Sequence, residues 1–180
     1  MKVKVGGKIY ERSVPDHLFN EVKEKVKSVC RFDPSTKTWI FDPKKALCSK
    51  WDVLVEFFHV PEEEIRRELD EFKAEVDARL REMIDRGYFA FLPCEEVRRP
   101  FRTEGGLALL DLGEVERIIS KEGPRKAYAI ILGFINGYYL EEHLRKLESL
   151  FSSKRVVILR DAGRKMVIEV PYPEEGIMNS

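Results

Sequence analysis

Glutamine is absent from this 180-residue chain, and asparagine occurs only at Asn20, Asn136 and Asn179. So few heat-labile amides, beside 36% charged residues, is the bias expected of a thermophile, where surface ion pairs multiply. Histidine is nearly as scarce. His17, His59 and His143 stand apart, with no carboxylate or cysteine at ligand spacing, so each is expected on a helix surface or at a helix end. The cysteines Cys30, Cys48 and Cys94 form no CxxC pair and are odd in number, which indicates neither a disulfide framework nor a zinc site. Buried thiols in a reducing cytosol are the expectation. The longest apolar run, Ala127 to Ile135, is less than half of the roughly 20 residues a membrane span requires. Met1 to Tyr10 alternate polar and apolar residues, unlike the core of a signal peptide. A cytoplasmic protein with no membrane partner is therefore expected.

Charge of one sign is also lacking, since 32 Lys and Arg balance 32 Asp and Glu, which argues against strong nonspecific nucleic-acid binding. The motifs GxxxxGK[ST], GxGxxG, HExxH and GxSxG do not occur, so nucleotide hydrolysis and zinc chemistry are disfavoured. No catalytic residue, metal ligand or cofactor is assigned. One acidic grouping, Asp111, Glu114 and Glu116 beside Lys121, follows a predicted strand and loosely suits a metal-dependent nuclease. Helix capping and the helix dipole favour acids at the same positions.

What is present reads as an α+β protein of two small subdomains, ββαβα and βαβαββ, joined by a long amphipathic helix. Val3 and Val5 alternate with lysines before Gly6-Gly7, the signature of a β-hairpin. Leu18, Val22, Val26 and Val29 then share one helical face after Pro15, with Cys30 beside it. Asp33-Pro34-Ser35-Thr36 is turn chemistry leading into a strand over 37–41. Asp42-Pro43 opens a helix carrying Leu47, Trp51, Leu54 and Phe58. From Pro61 to Arg86, Ile65, Leu69, Phe72, Val76 and Leu80 recur at spacings of three and four, and Gly87 stands where a C-cap belongs. Strands are predicted at Tyr88 to Leu92, Leu107 to Leu112, Tyr128 to Ile135, Arg155 to Arg160 and Lys165 to Val170. Helices are predicted near Glu114 to Lys121 and Tyr139 to Phe151. Cys94 to Gly106 reads as an exposed connection and the terminal Pro171 to Ser180 as loose. The domains are accordingly a basic unit over 1–60, a linking helix and short strand over 61–92, and a unit over 93–180.

Met1 to His59 holds 12 basic and 8 acidic residues, the linking segment 6 and 10, and the remainder 14 and 14. The first unit is therefore the basic one. Its lysines surround Trp39. Arg98, Arg99 and Arg102 flank Phe101, a pairing of cation and aromatic that suits phosphate contact and base stacking. Arg160, Arg164 and Lys165 at the last hairpin read as edge protection.

The helix after Val14-Pro15 that leads into Arg31-Phe32-Asp33-Pro34-Ser35-Thr36-Lys37-Thr38-Trp39-Ile40-Phe41 resembles the HARP domain of annealing helicases. It is also similar to the damage-recognition domain at the N-terminus of superfamily 2 DNA-repair helicases. The resemblance covers about a third of the chain, residues 1–60, and has no counterpart over 93–180. It implies a small DNA-binding module that helps a motor engage branched or distorted duplex, with Arg31, Lys37 and Trp39 as the matching positions. The reading is of a non-enzymatic DNA-binding accessory protein in genome maintenance, assisting a helicase or nuclease, with Arg31, Lys37, Trp39, Arg98, Arg99 and Arg102 as contacts. The alternatives are an assembly subunit that pairs through the helix over 61–86, and a metal-dependent nuclease.

Overall fold

The computed structural model describes residues 1–152 and the backbone of two further strands, Val156–Asp161 and Arg164–Glu169. It is mixed α+β, with seven α-helices and two four-stranded sheets among the described residues. Two compact units, Met1–Ala78 and Arg79–Ser180, divide inside the long helix α4 (Glu62–Asp85). No described helix is long and apolar enough to cross a membrane.

The first unit opens with the expected hairpin, β1 (Lys2–Val5) and β2 (Lys8–Glu11). Gly6 and Gly7 turn the chain at φ 58° and 80°, values that cost glycine nothing. A 3-10 turn follows Pro15 and passes into α1 (Phe19–Lys27), whose Val22 and Val26 are buried four residues apart on one face. Next come β3 (Cys30–Asp33) and β4 (Thr38–Phe41), an antiparallel hairpin in which Cys30 faces Phe41 and Phe32 faces Trp39. Only β4 is in the ββαβα reading. The order is ββαββαα before α4, because Cys30 leaves the α1 face to bury itself in the sheet.

The predicted helix from Asp42 is two helices. Asp42 caps α2 (Pro43–Cys48) by accepting from the Lys44 amide at 3.1 Å, Ser49 adopts an extended backbone, and α3 (Asp52–Glu56) restarts the chain. The sheet order is β2-β1-β4-β3, with β1 and β4 parallel. Val3 and Val5 from the sheet, Val26 from α1, Leu54 from α3, Phe58 just beyond it and Ile65 from α4 form its core.

Strand β2 is tied to α4 by a polar network. Glu64, itself buried, accepts from the Tyr10 hydroxyl at 2.6 Å and pairs with Lys8 at 2.9 Å. The hydrogen bond from Tyr10, then that from Lys8, holds the Glu64 carboxyl below its ordinary 4.5. Desolvation, then the bond to Glu64, pushes the Tyr10 phenol from 10.0 up to about 12. A lowered acid stabilises the fold above its unfolded pKa, and that contribution disappears as pH falls through the folded value. A raised phenol stabilises below pH 10, and its contribution disappears as pH rises from 10 toward about 12. Urea midpoints should therefore fall on both limbs. Tyr10→Phe should remove the alkaline loss and Glu64→Gln should flatten the acid one.

The second unit carries an antiparallel sheet, β6-β7-β5-β8, of β5 (Tyr88–Pro93), β6 (Arg102–Glu104), β7 (Leu107–Asp111) and β8 (Gly137–Tyr138). Phe89, Phe91, Ala108 and Leu110 pack on α5 (Leu112–Glu122), α6 (Pro124–Ile131) and α7 (Glu141–Ser152) through Val115, Ile131 and Leu147. Ala90, Leu92, Leu107 and Leu109 on the other face are buried too. The strand at Tyr88 to Leu92 stands as β5, and the βαβαββ reading of 93–180 is corrected to ββααβαββ. Tyr128 to Ile135 is not a strand: Pro124 begins α6, and Ala127 and Ile131 are buried one turn apart. Cys94 to Gly106 is not a plain exposed connection, since it contains β6 and the buried Phe101. The last two strands, β9 (Val156–Asp161) and β10 (Arg164–Glu169), pair as a hairpin. The side chains of Arg160, Arg164 and Lys165, and the segment 171–180, lie outside the described residues.

Of the cysteines, Cys30 is buried and free, and burial pushes its thiol up to about 12. Cys48 is exposed and Cys94 half-buried, and neither is a free thiol. The expectation of three buried thiols therefore holds for Cys30 alone, and cysteine usage no longer argues for a reducing compartment. His17 and His59 are exposed, and His143 stands at a helix end, in the first turn of α7, where it is buried. Burial lowers its pKa, against the pull of Glu142 at 3.9 Å.

Candidate nucleic-acid interface

The segment Arg31 to Phe41 folds as the β3–β4 hairpin, and its turn is organised by one side chain. The Asp33 carboxylate accepts from the Ser35 hydroxyl at 2.7 Å, the Ser35 amide at 3.1 Å and the Thr36 hydroxyl at 2.9 Å. These bonds, the Ser35 hydroxyl foremost, hold the Asp33 carboxyl below its usual range. They also set the turn so that Lys37 takes a left-handed φ of 52° at the tip, exposed.

Strand alternation then separates the three residues nominated here. Trp39 is half-buried against the core of the first unit, Arg31 is exposed on the opposite face of the sheet, and Lys37 stands between them at the end. The ring presented to solvent is Phe32, 47% exposed, with its centroid 5.0 Å from that of Trp39 and the planes inclined by 56°. Trp39 is thus the support and Phe32 the accessible aromatic. Phe32 is not among the contacts expected from the sequence, where Cys30 is placed beside the face of α1. The alternation of Cys30, Arg31, Phe32 and Asp33 before Pro34 was the signal that could have exposed it.

In the second unit the three nominated arginines diverge. Arg98 lies over the ring of Phe134 at 5.5 Å and lines a cleft of about 240 Å³ with Glu95, Glu96 and Asn136. Arg102 lies over Tyr88 at 5.2 Å, donates to its hydroxyl at 3.2 Å and pairs with Glu104 at 3.2 Å. Arg86 approaches the same ring at 5.8 Å. Arg99 and Arg102 share a groove of about 620 Å³ with Lys121, Glu114, Ile118 and Ile130. Phe101 is no stacking platform for these arginines. It is 5% exposed and packs edge-on against Phe91 at 5.2 Å.

The acidic grouping serves the helix. Asp111 caps α5 by accepting from the Gly113 amide at 2.8 Å, and Glu114 pairs with Arg117 at 2.9 Å. Among the described residues no group of three His, Cys, Asp or Glu is placed to hold a metal ion. Ile65, Leu69, Val76 and Leu80 of the α4 seam are likewise occupied, being buried within the chain.

What the geometry defines is a small α+β protein with a basic, aromatic hairpin in one unit and an arginine-lined groove in the other. Compared with known families, with curated proteins and with solved structures, the chain gives no match.

Proposed function

We propose that this chain is a non-enzymatic, cytoplasmic DNA-binding accessory protein of genome maintenance, working beside a helicase or nuclease. The observation that carries the reading is the exposed Phe32 ring buttressed by Trp39, with Arg31 and the turn cation Lys37 on the same hairpin. An aromatic face takes a base without regard to sequence, while nearby cations neutralise the backbone. The hairpin is the segment that resembles the HARP and damage-recognition domains. A second contact is supplied by Arg98, Arg99 and Arg102 in the other unit. Arg98 brings its own partner ring, Phe134, which is 39% exposed.

Fluorescence anisotropy of labelled single-stranded, forked and duplex DNA across a salt series tests this. Phe32→Ala should cost about 1 to 3 kcal/mol of single-strand affinity. Lys37→Ala should weaken all substrates alike and lower the salt slope by about one. Absence of salt-sensitive binding to every substrate at about tens of micromolar protein would remove the proposal.

A further inference from the structure

The sheet of the first unit has a second face. Val3 and Val5 point into the core, so Lys2 and Lys4 point away from it. Cross-strand pairing extends that outer face across all four strands: Ile9 stands beside Lys4, Lys4 beside Ile40, and Ile40 beside Arg31. The row from edge to edge is apolar, basic, apolar, basic. Ile9 is 59% exposed, Lys4 and Arg31 are exposed, and Ile40 is half-buried. A sheet face turned to solvent ordinarily presents polar side chains, and isoleucine at two of the four positions of this row is not what solvent selects.

We infer that this face docks an acidic amphipathic helix of a partner protein, laid across the strands along the row Ile9, Lys4, Ile40 and Arg31. Neighbouring strands lie about 4.8 Å apart and a helix advances about 5.4 Å per turn, so a helix tilted by roughly 30° from the row sets one residue over each strand. The partner would present apolar and acidic residues alternately on successive turns, each isoleucine meeting an apolar side chain and each cation a carboxylate.

Two acids share the face and leave it basic. Asp33 lies at the hairpin turn and Glu11 opposite Lys2, against the three cations Lys2, Lys4 and Arg31, so the face keeps a net positive charge. Nucleic acid fits less well, because isoleucine offers no π face on which a base can stack. A second copy of the chain would bring like charges together. The inference goes beyond the DNA-binding proposal: it uses the face opposite Phe32 and Trp39 and has only Arg31 in common with it.

The test titrates the whole protein with a labelled helical peptide in which leucine and glutamate alternate on successive turns, with lysine replacing glutamate in a control peptide. The acidic peptide should bind, shift the amide resonances of Lys4, Ile9, Arg31 and Ile40, and bind at least about tenfold more weakly to Ile9→Ser and Lys4→Gln. Ile9→Ser should leave DNA affinity unchanged. No peptide binding at about 1 mM, equal binding of the control, or resonance shifts elsewhere would overturn the inference. So would an Ile9-dependent self-association in sedimentation, or an equal loss of DNA and peptide binding in Ile9→Ser. Peptide binding without any DNA binding would leave this inference standing and remove the DNA-binding proposal.

Discussion

Gly137→Ala is expected to disrupt the second unit at the edge of its sheet. Gly137 has a φ of 154°, and a Cβ built there would overlap the Leu92 carbonyl oxygen and crowd the Cα of Pro93. The residue sits where β8 pairs with β5, Pro93 beside Gly137 and Leu92 beside Tyr138, and where the Cys94 amide donates to the Asn136 carbonyl at 2.9 Å. Alanine can be accommodated only if β8 leaves the sheet. A strained backbone of about 1 to 3 kcal/mol adds to two or three lost hydrogen bonds of about 1 kcal/mol each, so a loss of about 3 kcal/mol or more is expected. Urea unfolding measures it. A midpoint within error of the native protein would show that the β5–β8 pairing does not need glycine.

The second large effect belongs to the first unit. Phe58 is 2% exposed, lies in the cluster with Leu54, Val26 and Ile65, and meets Phe57 edge-on at 5.1 Å. Its position depends on a tight exit from α3: the Phe58 amide donates to Val53, His59 takes a φ of 57°, and the Val60 amide returns to the Leu54 carbonyl at 2.9 Å. Those bonds leave little freedom for collapse around a truncated side chain. Phe58→Ala should cost about 3 to 5 kcal/mol with an unchanged denaturant slope, whereas Ile9→Ala on the open face should stay within about 0.5 kcal/mol. Comparable losses at the two sites would mean that Ile9 is structural, and would weaken the case for a docking face.

Where local chemistry and burial agree, the fold was legible. Gly6-Gly7, the Val22 and Val26 spacing, the Asp42 cap and the long α4 periodicity each name their element, because a turn, a cap or an apolar stripe is specified within a few residues. Gly105-Gly106, at φ 58° and 79°, repeats the hairpin signal of Gly6-Gly7 and joins β6 to β7, yet three-residue β6 was too short to read as a strand. In α6 the run Tyr128-Ala129-Ile130-Ile131 suits a strand by composition, and Gly123-Pro124 is the local sign that a helix starts there instead.

The candidate site was less legible than the fold. Arg31, Lys37 and Trp39 lie within nine residues of sequence but part to two faces and a tip once β3 pairs with β4, and Phe32 takes the exposed role expected of Trp39. By itself the sequence determined that this is a charged α+β chain with a basic beginning and an arginine cluster beyond α4, since composition and short-range periodicity are properties of neighbours in the chain. Which aromatic meets solvent, that Phe101 is core, that the acids at Asp111 and Glu114 serve a helix, and that Ile9, Lys4, Ile40 and Arg31 form one row were decided by the tertiary structure alone. Each depends on a strand partner or a packed face far away in sequence, and strand pairing is the interaction that local chemistry specifies least.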